Sequence, residues 1–157
     1  MTIKSVCMNC EGGSLRVFAS DKGVTQIDFL EEIEPSEITR HPILKQALAE
    51  LEEYFAGQRR VFDVPLDLQV GTDFQREAWE RLKSIPYGQT ISYGEQAKSM
   101  GRPKAFRAVG GANGKNPLPV IIPCHRVVNS LGKLHGFAGG VAMKRYLLRV
   151  EGLNLEA

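Results

Sequence analysis

One thiol in the second half of the chain is set among residues that can act on it. Residues 119–128 read Pro-Val-Ile-Ile-Pro-Cys-His-Arg-Val-Val. Cys124 lies between Pro123 and His125, with Arg126 next. Positive charge beside a sulfur favours its ionised, nucleophilic form. A free cysteine also serves as a small core hydrophobe, but that role has no need of a flanking proline, imidazole and guanidinium. Cys7 and Cys10 form a lone C-x-x-C. That supplies two ligands where a closed zinc site needs about four, and His41 and His135 stand at no recognisable spacing from them. No metal is expected.

The apolar run before Cys124 reads as a strand that delivers the thiol. Adjacent side chains of a strand point to opposite faces, so contact between Cys124 and His125 would need a bend or a water. Gly132, Gly136, Gly139 and Gly140 make the following segment a loop suited to close approach of a flat ligand. Phe137 in that loop is either a core anchor or a stacking wall. A last helix is predicted over 141–151, stopped by Gly152. Glu151 at its C-terminal end opposes the macrodipole. It is either frayed into solvent or compensated by a cation, and a protonated His125 would serve.

Upstream, Thr72-Asp73-Phe74-Gln75 is a capping box. The helix it opens is expected to bury Phe74, Ala78, Leu82 and Ile85 and to stop before Pro86. A helix from about Ser92 to Met100, a turn at Gly101-Arg102-Pro103, and a helix from Pro103 to about Asn113 form a helix-turn-helix pattern. Ala105, Ala108, Gly110, Gly111 and Ala112 leave the second helix with little bulk. That suits either tight packing or close approach to a narrow surface. Phe106 and Val109 are expected in the core, with Lys104 and Arg107 free.

The first part of the chain predicts a hairpin of Leu15–Ala19 and Val24–Phe29 across Ser20-Asp21-Lys22-Gly23. A polar loop over 31–40 follows. A helix then opens at His41-Pro42, with Leu44, Leu48, Leu51 and Phe55 on its apolar face and Gly57 at its end. Residues 61–68, containing Pro65, read as an extended segment or edge strand. The expected fold is α+β: a small N-terminal domain with a β-hairpin or sheet and a helix over 1–70, then a mainly helical domain over 71–157.

Of the 157 residues, 43% are hydrophobic and 24% charged, which is ordinary globular composition. No apolar run reaches membrane-spanning length and no signal-peptide pattern opens the chain, so no membrane is expected. An odd count of three cysteines is no disulfide framework, which makes a reducing cytoplasm the expected compartment. The net charge of +2 hides an asymmetry. Residues 1–71 carry seven basic and twelve acidic side chains, whereas 72–157 carry thirteen basic and six acidic. From Arg81 to Arg149 the only acid is Glu95. A basic half of this kind points to nucleic acid.

With these motifs assembled, the chain resembles the O6-alkylguanine-DNA alkyltransferases. Pro123-Cys124-His125-Arg126-Val127 matches the family's active-site motif. Ala108-Val109-Gly110-Gly111-Ala112, Asn116-Pro117, Gly139-Gly140 and Leu147-Leu148…Glu151-Gly152 match in order and spacing. The resemblance implies a protein that flips O6-alkylguanine, and also O4-alkylthymine, out of duplex DNA through the minor groove and moves the alkyl group irreversibly to Cys124. It implies His125 as base, Glu151 as its partner, Asn116 as organiser of the turn, and Tyr93 as helper in nucleotide rotation. Arg107 corresponds to the intercalating residue, with further DNA contacts from Lys104, Ala105, Ala108, Gly110, Tyr93 and Arg126. The base pocket would be made by Phe137, Ala138, Val127 and Gly139. No cofactor is implied. A monomer is expected, with cooperative assembly on DNA an open alternative. Phe137 stands where the family often has tyrosine. A non-enzymatic relative would lack the thiol. A thiol hydrolase would leave the basic helix pair unexplained, and a regulatory helix-turn-helix would need longer base-reading side chains.

Overall fold

The computed structural model describes residues 2–134 and 136–156, so His135 lies outside it. The fold is α+β, and the chain divides into two units, Met1–Gln69 and Val70–Ala157.

In the first unit, β1 (Lys4–Cys10), β2 (Gly13–Ala19) and β3 (Val24–Phe29) form an antiparallel sheet in that order. The expected hairpin is β2–β3. β1 is additional: Val6, Cys7 and Met8 are all buried, so the strand lacks the alternation that would betray it. Gly23 has a specific reason to be glycine. A Cβ there would come within 2.7 Å of the Pro65 carbonyl oxygen, because the 61–68 segment crosses close by. That segment makes a single bridge, Val24 to Leu66, rather than a strand, as Pro65 lacks the donor for a longer ladder.

Helix α1 (Pro42–Phe55) is capped by His41, whose Nδ1 accepts from the amides of Ile43 (3.2 Å) and Leu44 (3.4 Å). Its buried stripe is Leu44, Ala47, Leu51 and Tyr54. The stripe is turned slightly from the expected one, leaving Leu48 and Phe55 half-buried. Glu50 is buried on the same helix and accepts from the amides of Asp63 (2.8 Å) and Val64 (3.0 Å).

The second unit begins with α2 (Asp73–Leu82), opened by the expected Thr72–Gln75 capping box. Its largest buried side chain is Trp79, whose Nε1 donates to the Ala112 carbonyl at 2.7 Å. The helix ends at Leu82, and Ile85 is buried from the following turn. α3 (Tyr93–Ser99), capped by Ser92, and α4 (Phe106–Gly114) pack together. Gln96 and Asn113 exchange two buried amide hydrogen bonds of 3.1 and 2.8 Å that fasten one helix to the other.

α4 starts three residues later than predicted. Residues 102–105 close a turn through Ala105 N–H to Arg102 C=O (2.9 Å), and the helix begins beyond it, at N-cap Ala105, without a side-chain cap. A two-stranded parallel pair, β4 (Ile91–Ser92) with β5 (Val127–Val128), and α5 (Val141–Val150) complete the unit.

The predicted strand ahead of Cys124 is absent. Residues 117–122 fold as successive turns, and Cys124–Arg126 is one turn of 3-10 helix. Pro117, Pro119 and Pro123 remove the donors a ladder requires. Val120 adopts φ 75°, a left-handed conformation that strains a β-branched residue. Asn116 braces this path: its Oδ1 accepts from Leu118 N–H (2.9 Å) and its Nδ2 donates to the Ile122 carbonyl (2.8 Å).

Candidate active site

The 3-10 turn sets Cys124 into the wall of a cavity of about 730 Å³. Tyr93 from α3, Phe106, Arg107 and Gly110 from α4, and Phe137 and Ala138 from the glycine-rich loop share that wall. Phe137 is therefore a wall and not a core anchor. Asn129 and Ser130 also line it, which nothing in their residue types announced. Val127 and Gly139 are not among the described lining residues. Val127 is fully buried and pairs with Ile91 in β5, leaving only its backbone as a candidate for ligand contact.

Behind Cys124, His125 is fully buried and its Nε2 lies 2.7 Å from Glu151 Oε2. Glu151 is not frayed. Its carboxylate also accepts from Arg126 Nε (2.9 Å), Arg126 Nη2 (3.1 Å) and the Gly88 amide (2.9 Å). Burial alone would raise its pKa, but hydrogen bonds from His125, Arg126 and Gly88 hold it down at about 2. Burial pushes His125 below the ordinary imidazole range, against the pull of Glu151. The ring is therefore neutral, its shared proton on Nε2 facing the carboxylate, and Nδ1 is the atom able to accept a proton.

Two expectations are corrected here. Arg126 does not face a DNA surface: it is buried, chelates Glu151 and donates through Nη1 to the Ile85 carbonyl at 2.7 Å. The resting sulfur is not a thiolate. Burial pushes Cys124 up to about 11, opposed by the Asn116 amide and by the charge of Lys144. Ionising it at neutral pH costs on the order of 5 kcal/mol, so activation must come with the reaction.

Lys144 was not anticipated. It is fully buried on α5 and its Nζ donates to the Gly136 carbonyl at 3.3 Å. The signal was available: Lys144 is spaced from Leu147, Leu148 and Glu151 as part of the helix's inward stripe.

On α4 and the turn before it, Lys104, Arg107 and Ala108 are exposed, whereas Ala105 and Gly110 are half-buried. Phe106, expected in the core, is 46% exposed, and the Arg107 guanidinium lies over its ring at 5.9 Å. Internal packing explains Ala112, which is buried with Ala78 and Val109, but not the two glycines. A Cβ on Gly111 would meet nothing within 4 Å, and one on Gly110 would make only ordinary contact with Tyr93 at 3.6 Å. At Ala108 and Gly111 the lack of bulk faces outward.

Two family models divide the sequence between them. The 6-O-methylguanine DNA methyltransferase DNA-binding domain matches residues 73–153, and the ribonuclease-like domain of the same family matches 3–68. The chain belongs to the 6-O-methylguanine DNA methyltransferase family. A methyltransferase-family relative from Methanosarcina acetivorans, a methylated-DNA–protein-cysteine methyltransferase, is 43% identical over 145 residues, covering 89% of this chain and 92% of its own. The crystal structure of Mycobacterium tuberculosis O6-methylguanine methyltransferase superposes with a TM-score of 0.85 at 40% identity, covering 96% of this chain and 93% of that one. A second structure of the mycobacterial protein, in complex with DNA, gives 0.83 at 43% identity over 96% and 94% of the two chains. Across this methyltransferase family resemblance, the recognition motif Pro123–Val127 falls inside the DNA-binding domain match.

Proposed function

We propose that this DNA-repair alkyltransferase takes the alkyl group from O6 of guanine in duplex DNA, and from O4 of thymine, onto Cys124 once per molecule. The observation that carries the reading is the thiol at the wall of a cavity roomy enough to admit a base, with a buried His125–Glu151 pair beside it in sequence and residues of α4 in the same wall.

An alkyl carbon on O6 is out of reach inside the base stack, so the nucleotide must be extruded. The small residues of α4 let the helix lie close in the minor groove. Arg107, exposed at the cavity mouth, is the side chain able to fill the vacated stack. Phe137 and Tyr93 then offer flat faces to the extruded base.

In the transfer step the Cys124 proton passes towards His125 Nδ1, directly or through a water. A sulfur lone pair forms the new S–C bond as the C–O6 bond breaks. The electron pair of that bond enters the guanine, which takes up a proton and leaves as the normal base. Glu151 stabilises the imidazolium that forms. A thioether has no easy hydrolytic exit, so the protein ends its reaction alkylated.

The DNA product tests this. A duplex with one O6-methylguanine should be converted to guanine by the wild type and left unchanged by Cys124→Ala. Conversion by the alanine variant would remove Cys124 from the chemistry.

A further inference from the structure

Phe106 is placed unlike the other exposed apolar side chains. Among the described residues it is the one exposed large hydrophobic that also lines the cavity of Cys124. It is the first residue of α4 and precedes Arg107. The cavity side of that helix includes Phe106, Gly110 and Asn113, spaced four and three residues apart on one face. The Tyr93 ring lies against Gly110, where a Cβ would meet it at 3.6 Å. Asn113 is tied to Gln96 by the paired amide hydrogen bonds. Phe106 is thus the bulk at the head of a row that is otherwise small or committed. The Arg107 guanidinium lies 5.9 Å from the centre of its ring. Around it, Lys98, Lys104, Arg107 and Lys115 are exposed, and no acid occurs between Lys98 and Lys115.

We propose that Phe106 is an apolar wedge for duplex DNA, its ring entering the minor groove beside Arg107 and unstacking the base step next to the target nucleotide. The inference rests on the reaction proposed above and adds a second inserted side chain to it. An apolar side chain pushed between bases opens the step and kinks the duplex, a cost offset by closer contact with the bent DNA. A phenyl ring suits the task because an unstacked base can lie on its face. It also leaves water on insertion, which a ring already in the protein core would have done on folding. The Arg107 guanidinium over the ring is partly organised before DNA arrives, so less side-chain freedom is lost when the two enter together. The basic side chains around Phe106 draw the phosphates of the groove towards the face that bears the ring.

Unstacking is read without chemistry by 2-aminopurine, which brightens when its neighbours stop stacking on it. The probe is placed next to O6-methylguanine in a duplex, and its fluorescence is followed as Cys124→Ala protein binds, with Phe106 intact or changed to Ala or Leu. Leu keeps an apolar wedge, and Ala removes it. The alanine change should abolish most of the rise and the leucine change should keep it. With Cys124 present, Phe106→Ala should slow transfer from the same duplex by about tenfold, since opening a step costs a few kcal/mol. Its rate with free O6-benzylguanine should stay at the wild-type value, and its loss on the duplex should shrink when the lesion faces an abasic site. A full fluorescence rise with alanine would overturn the wedge. So would equal losses on duplex and free base, which would make Phe106 a pocket wall only. A wild type that unstacks the probe through Phe106 yet leaves O6-methylguanine unrepaired would count against the proposed reaction and leave the wedge standing.

Discussion

Among the described residues are two buried carboxylates fastened by hydrogen bonds, one in each unit, and they differ in what they hold. Glu50 accepts from the backbone of Asp63 and Val64 and from Gln46 Nε2 at 2.8 Å. Those donors are amides whose charge does not change. Glu151 accepts from the Gly88 amide and from Arg126, but its third partner is a histidine. The first arrangement can only fix a segment. The second can also alter its protonation while staying in place, because Arg126 and Gly88 keep the carboxylate ionised whatever the imidazole does. Burial and good hydrogen bonding thus describe a clamp in both places, and a titratable neighbour turns one of them into part of a reaction.

Exchanging the acids is the sharpest way to break this contrast. Glu151→Gln should slow single-turnover transfer by roughly a hundredfold, within the range of acid–base contributions, because His125 becomes a weaker base. Glu50→Gln should leave the rate unchanged and reduce stability by about 1–3 kcal/mol in a denaturant titration. Equal effects on rate would mean both acids are structural.

Arg107 separates extrusion from chemistry. Arg107→Ala should slow repair of duplex DNA by about tenfold or more, since unstacking costs a few kcal/mol, and spare reaction with free O6-benzylguanine. Equal losses on both substrates would make Arg107 part of the fold of α4.

Phe137→Ala should lose about tenfold in rate through lost stacking, and Phe137→Tyr should lose none. Alanine reacting as fast as phenylalanine would remove Phe137 from the base pocket.

The smallest effect is on stability against pH. His125 is neutral in the fold and held below its ordinary 6.5, so its contribution is complete above that value and declines as pH falls and the unfolded chain takes up the proton. Glu151 adds a further decline between about 4.5 and about 2. Melting temperature should fall through both ranges, and Glu151→Gln should flatten the lower one.

Much of this was legible because it is written in local chemistry. Thr72 and Gln75 announce a helix start, Gly57 and Gly152 mark ends with φ of 75° and 88°, and Cys124, His125 and Glu151 are reactive types in a telling order. What was not legible depends on partners distant in sequence. β1 buries three consecutive residues, so its pattern resembles no half-exposed strand. The apolar run 119–123 looks extended until its prolines are counted as missing donors. Arg126 reads as a free cation unless Glu151 and Ile85 are known to surround it. Lys144 is read as solvated because lysine nearly always is.

The mass of the protein itself gives the most direct test. Incubated with excess O6-methylguanine duplex, the wild type should gain the mass of one methylene, mapped to Cys124, and restore one guanine within the DNA per protein molecule. More than one guanine restored per molecule, or a methyl group found on another residue, would contradict single transfer to this thiol.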